Sequence, residues 1–196
     1  QYTDDNEVVI DYFATCNKDT VCNLTNHAYF NIGNDDTVLE QELMINASRI
    51  TPVDDELIPH NNFMDIAGTP YSFKNGELLK TNMFSSDHMI ANCKGFDFNY
   101  CLDRKSEKDI EHFAYVLDKA SGRKMDCYTD QPGVQLYTSN TMKGTVGKKV
   151  YENYCALCLE TQGYPNSPNC PAYPSTVLKA GEPYRTTTIY KFSVQK

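Results

Sequence analysis

A histidine inside a polar, strand-like run is the first place to look for proton chemistry in this sequence. The run reads "CNLTNHAYFN", residues 22–31. In an extended segment alternate side chains share a face. Asn23, Thr25, His27 and Tyr29 then lie on one side, and Leu24, Ala28, Phe30 and Ile32 on the other, with Asn26 an exception. A strand of that kind gives one face to a core and one to a wet cleft or a hydrogen-bond network. His27 is therefore either a proton carrier or a satisfied structural residue. The same parity applies to "CALCLETQ", residues 155–162, where Ala156, Cys158 and Glu160 share a face opposite Leu157, Leu159 and Thr161. A glutamate ending an apolar strand is solvated at a rim or held at the mouth of a pocket. In a pocket, desolvation raises its pKa toward that of a useful general base.

Two further residues could hold a hydroxylated substrate. In "QPGVQLYTSN", Val134 and Leu136 are expected inward, while Gln135 and Tyr137 face the other way and can bond sugar-like hydroxyls. In "KGFDFNY", Gly95 permits a sharp bend before Asp97. A carboxylate between two phenylalanines suits bidentate contact with vicinal hydroxyls, or it closes an Asx-turn. Other candidates are poorer. Cys155 and Cys158 form a CxxC, but on a strand positions i and i+3 fall on opposite faces, and no second CxxC or paired histidine follows. No metal is expected on these grounds. His60, His88 and His112 lack ligand-like spacing, and Asp54, Asp55 and Glu56 lack the glycine and spacing of an EF-hand loop.

The bulk composition narrows the field. The chain has 196 residues, enough for one domain or a large part of a bigger β domain, and 40% are hydrophobic, as in a globular protein. A formal charge of −8 repels phosphate backbones, so nucleic acid is not an expected partner. No apolar run approaches the roughly 18 residues of a membrane helix. Eight cysteines and a chain that opens on Gln1 suggest a processed, secreted product. Of two sequons, at Asn23 and Asn46, the second is the better candidate for glycosylation.

The elements that must position these residues follow a period of two. "EVVIDYFAT", "HFAYVLD", "RKMDCYT", "VQLYTSN", "ALCLETQ" and "TTTIYKFSV" read as strands, with residues 119–122 as a hairpin turn between the second and third. "KNGELLKTNMF" could hold one helical turn. Residues 54–100 show little regular pattern, and loops of that length usually carry function. The class is all-β, a sandwich of antiparallel strands.

Taken together, "NLTNHAYFNIG" (23–33), "ITPVDDELIP" (50–59), "GTPYSF" (68–73), "GFDFNY" (95–100), "QPGVQLYTSN" (131–140) and the block from 157 to 194 resemble the aldose 1-epimerases, or galactose mutarotases. The resemblance implies an antiparallel β-sandwich of the galactose mutarotase type, with an aldohexose such as galactose or glucose bound in an open cleft on one sheet. It implies that His27 and Glu160 are the catalytic pair and that Asp97 and Gln135 bind substrate. It implies ring opening by acid and base, with no cofactor, since the aldehyde forms without redox change. It also implies a cytosolic protein, against the cysteine count. Two departures stand out. Phe98 replaces the family's histidine beside Asp97, which bears on sugar preference. The chain matches only the family's C-terminal portion, so open edges and an uncovered apolar face are expected, completed by a second polypeptide. Two competing readings are a non-catalytic carbohydrate-binding or structural module of the same fold, and a glycosidase using Asp97 and Glu160 as its carboxylate pair.

Overall fold

The computed structural model describes residues 1–195. Along the chain the elements are β1 (Glu7–Ala14), β2 (Thr20–Val21), β3 (Glu42–Ile45), β4 (Ala47–Thr51), β5 (Met64–Asp65), β6 (Glu77–Leu78), α1 (Leu79–Met83), α2 (His88–Cys93), β7 (Asp97–Leu102), β8 (Glu111–Leu117), β9 (Arg123–Thr129), β10 (Gly133–Tyr137), β11 (Cys158–Gln162), β12 (Val177–Leu178) and β13 (Tyr184–Val194). A six-stranded sheet runs β1-β13-β9-β8-β3-β6, and a five-stranded sheet runs β11-β10-β7-β4-β5; all their pairings are antiparallel.

One apolar cluster fills the space between these two sheets. Leu43, Ile45, Ala114, Val116, Met125, Cys127 and Tyr190 enter it from the six-stranded sheet. Ile50, Phe98, Tyr100, Val134, Leu136 and Leu159 enter it from the five-stranded one. This is the expected sandwich. Alternation is clean where one face meets the cleft: in β10, Val134 and Leu136 are buried while Gln135 and Tyr137 are partly exposed. β8 and β9 form the expected hairpin, closed when the Gly122 N–H donates to the Asp118 carbonyl at 2.8 Å.

Both sheets come from this chain, so no whole sheet face is left bare. The exposed large apolar residues are spread over many elements, among them Tyr2, Phe13, Phe84, Val146 and Val194. The expected uncovered apolar face is therefore not found among the described residues, because the core closes between the chain's own two sheets. Open edges are found. β11, β5, β1 and β6 each end a sheet with one neighbouring strand.

Three local expectations need correction. Residues 22–29 are not a regular strand; only Phe30 bridges, to Leu157. Leu24, expected inward, is exposed. The stretch 54–100, read as showing little regular pattern, contains β5, β6 and α2, elements too short to show a period, while α1 falls in the segment 74–84 where one helical turn is expected. Asn46, the better of the two sequon candidates, donates its amide to the Asp103 carbonyl at 2.9 Å. No helix among the described residues is long and apolar enough to cross a membrane.

Candidate active site

Three adjacent strands of the five-stranded sheet set the floor. In β10, Gln135 pairs with Asn99 of β7 on one side and with Glu160 of β11 on the other. Asp97 lies across from Tyr137. Alternation then puts Asp97, Gln135, Glu160 and Gln162 around one cleft of about 570 Å³, with His27, Tyr29, Tyr137, Asn140 and Lys94 also lining it. That volume is within the range of small-molecule sites.

Asp97 opens a strand rather than an Asx-turn, and the turn before it is built with care. The Asp87 carboxylate caps α2 by accepting from the Met89 N–H (3.0 Å) and the Ile90 N–H (3.4 Å). Lys94 ends the helix in the left-handed region at φ 58°, and Gly95 follows at φ 145°. A side chain at position 95 would run into Asn140, whose amide donates to the carbonyls of Cys93 (2.9 Å) and Phe96 (3.0 Å). Glycine is needed for that close approach.

His27 is delivered by side-chain anchors in place of strand pairing. The Asn26 amide donates to the Tyr190 hydroxyl (3.1 Å), which itself donates to the Leu159 carbonyl (2.7 Å). Asn23 donates to the Gly163 carbonyl (3.0 Å) and accepts from the Gly163 N–H (2.8 Å). Phe30 exchanges backbone bonds with Leu157, N to O at 2.8 Å and 2.9 Å. Each anchor ties the segment to β11 or its flanks, one to three residues from Glu160.

The outcome is a contact. His27 Nε2 lies 3.3 Å from Glu160 Oε1, with the His27 side chain 50% exposed and that of Glu160 only 11%. Burial raises the Glu160 pKa, partly opposed by the charge of His27 and reinforced by Asp97. Burial also raises Asp97, opposed by the hydrogen bond from Gln135 and by His27. Gln135 Nε2 donates to Asp97 Oδ1 at 2.7 Å, and the other Asp97 oxygen has no protein donor among the described residues. Tyr29 stacks on the His27 ring at 4.9 Å, and Tyr137 meets it edge-on at 6.0 Å.

The structure thus brings together all four sequence candidates: His27, Glu160, Asp97 and Gln135. It does not bring Phe98 with them. That ring is fully buried on the opposite face, against Tyr71 at 5.1 Å and Phe96 at 6.3 Å. Neighbours in a strand point to opposite sides, so residue 98 does not face the cleft at all. Gln162 was missed, although the parity of Cys158, Glu160 and Gln162 signals it. Asn92 and Lys94 were missed because α2 was not expected. The remaining histidines are surface partners of Asp54, Asp55 and Asp126. The Asp54 carboxylate is taken up by its own turn, accepting from the Glu56 and Ile58 N–H groups. None of the eight cysteines is in a disulfide. Cys155 and Cys158 do not form a ligand pair; among the described residues the group with metal-ligand proximity is His27, Cys158 and Glu160, one donor atom each, all within 4.8 Å of one another.

The family model described as aldose 1-epimerase matches residues 2–191. The chain belongs to the aldose 1-epimerase family. Among curated relatives, galactose mutarotase of Mus musculus is 41% identical over 97% of this chain and 55% of its own length. Galactose mutarotase of Homo sapiens is 39% identical with the same coverage, and aldose 1-epimerase of Escherichia coli (strain K12) is 34% identical over 97% of this chain and 56% of its own. The chain spans about half the length of the curated relatives it matches. Among solved structures, an aldose epimerase homologue from C. elegans superposes with a TM-score of 0.88 at 27% identity, covering 98% of this chain and 57% of that one. Galactose 1-epimerase from Lactobacillus acidophilus NCFM superposes at 0.83 with 22% identity, covering all of this chain and 55% of that one, and so speaks for the aldose 1-epimerase fold alone.

Proposed function

We propose that this chain carries the acid–base pair of an aldose 1-epimerase, which interconverts the α and β anomers of an aldohexose such as galactose or glucose. The observation that carries the reading is the 3.3 Å contact between His27 Nε2 and Glu160 Oε1 in a polar cleft. The Glu160 carboxylate takes the proton of the C1 hydroxyl while His27 gives a proton to the ring oxygen. The bond from C1 to the ring oxygen breaks and a C1 carbonyl forms. The aldehyde turns over, the ring oxygen attacks its other face, and the two side chains exchange roles. The sequence suggests two groups facing each other across a gap the width of a ring, yet here they touch. Contact suffices, because both reacting oxygens are bonded to the same carbon. A buried, raised carboxylate is suited to general base work near neutrality.

Asp97 and Gln135 are assigned to substrate binding. Gln135 occupies one oxygen of Asp97 and leaves the other for sugar hydroxyls. Tyr29 and Tyr137 supply ring faces and hydroxyls beside them. A second polypeptide, corresponding to the rest of the relatives' length, is proposed to complete the sandwich. One point favours it: β11, which carries Glu160, lies at a sheet edge. A native mass spectrum in which this chain alone is monomeric and stably folded would count against that partner.

Polarimetry on freshly dissolved α-D-galactose tests the activity. The assembled protein should speed equilibration, and Glu160→Gln should remove the acceleration. Unchanged equilibration with the wild-type assembly overturns the reading; calorimetric sugar binding without turnover would then select the non-catalytic binding module.

A further inference from the structure

We propose that His27 Nε2, Cys158 Sγ and Glu160 Oε1 form a binding site for a soft divalent cation, with Zn²⁺ the type case, and that occupation switches the acid–base pair off. One donor atom from each of the three residues lies within 4.8 Å of the other two, and the residues come from two separate parts of the chain. The donor set is one imidazole nitrogen, one sulfur and one carboxylate oxygen, the mixture that zinc favours over calcium or magnesium. Three protein ligands with an open fourth position is the arrangement of zinc sites that keep a bound water. Here the open position is supplied by the cleft.

The nitrogen–oxygen edge is close to what the ion requires. Zn–N and Zn–O bonds of ~2.0–2.1 Å at a tetrahedral angle put nitrogen and oxygen about 3.3 Å apart. The measured separation of His27 Nε2 and Glu160 Oε1 is 3.3 Å. Cys158 is on the same face of β11 as Glu160, two residues before it. His27 is half exposed, which leaves the imidazole free to settle onto an ion. Cys158 and Glu160 are buried and need little ordering.

Binding involves no redox change. The Cys158 thiol loses its proton to solvent and its sulfur pair goes to the metal, while His27 gives its Nε2 lone pair and Glu160 an oxygen lone pair. Burial, helped by the nearby Glu160 and Asp97 carboxylates, holds the thiol proton tightly. Metal affinity must therefore rise with pH. Once bound, neither Nε2 nor Oε1 can exchange protons with a sugar. Loss of turnover rests on the epimerase reading; metal binding itself does not.

The test is a Co²⁺ and Zn²⁺ titration of the assembled protein. Co²⁺ should give tetrahedral d–d bands with a near-ultraviolet sulfur-to-metal charge-transfer band, and Zn²⁺ should displace it. Cys158→Ser should abolish the charge-transfer band and weaken Zn²⁺ binding more than about tenfold, at least the cost of losing an outer partner of a metal ligand. His27 is exposed, so His27→Ala tests the site without disturbing the core, and it too should lose the band. A wild-type chain with no tetrahedral cobalt spectrum overturns the proposal, as does a His27→Ala variant that keeps the band, which would place the metal on other cysteines. Should Cys158→Ser not fold, the wild-type and His27→Ala spectra decide the matter alone.

Discussion

Glu160 is the residue on which two opposing demands fall. In the proposed reaction it must be ionised to accept a proton, and its burial works against ionisation. In the unfolded chain its pKa is about 4.3. In the folded chain it is higher, so between the two values the folded state binds more protons. Stability is then greatest below the unfolded value and falls as pH rises through that window. Glutamine at this position cannot ionise. Glu160→Gln should therefore melt at a higher temperature than wild type at pH 8, with the difference shrinking toward pH 4; calorimetry across that range checks it, and a difference independent of pH would contradict the argument. The acid limb of kcat/KM should likewise lie above the ordinary carboxylate range. Asp97 depends on its neighbour in the opposite sense. The Gln135 N–H offsets part of the cost of burying the Asp97 charge. Gln135→Leu removes that donor, so Asp97 should be harder to ionise. Sugar affinity, measured by calorimetry, should drop about tenfold or more, the scale of one charge-assisted hydrogen bond.

At the scale of elements, the site is a register. Gln135 is positioned between Asn99 and Glu160 because β10 pairs with β7 and β11 without a shift. Gly133, at the head of β10, protects this. A Cβ there would lie 2.7 Å from Asn99 Oδ1 and 2.9 Å from the Tyr164 ring. Asn99 and Tyr164 are both buried, so neither can move aside freely. Gly133→Ala should cost about 1–3 kcal/mol of stability by overpacking. It should also displace Gln135, lowering kcat/KM beyond the stability effect; denaturant melts together with kinetics at a temperature where both proteins are folded separate the two. The strands themselves were legible in the sequence. β1, β8, β9, β10, β11 and β13 each fall within or beside an expected run, because five or more alternating residues give a clear period. β5, β6 and α2 were not, since two to six residues show none; α1 lies in the segment 74–84 read as one helical turn. The segment around His27 was legible in its residue types but not in its conformation. Its alternation imitates a strand, whereas side-chain bonds from Asn23 and Asn26 hold it.

At the scale of the whole molecule, one core serves both sheets, so damage to either should be felt by the site. Leu136 is fully buried on the core face of β10, directly between Gln135 and Tyr137. Leu136→Ala should destabilise by about 2–5 kcal/mol. The melt should remain a single transition, because the cluster joins the two sheets into one cooperative unit. Two separate transitions would show that the sheets unfold independently. The sequence by itself determined which side chains share a face in β10 and β11: Gln135 apart from Leu136, Glu160 apart from Leu159. That follows from the alternation of Cβ directions along an extended backbone, which is a local property. Only the tertiary structure decided that His27 meets Glu160, and that Cys158 lies beside both. Nothing local to either segment encodes their approach; it arises where the Phe30–Leu157 bridge and the Tyr190 hydroxyl fasten an irregular segment to a distant strand.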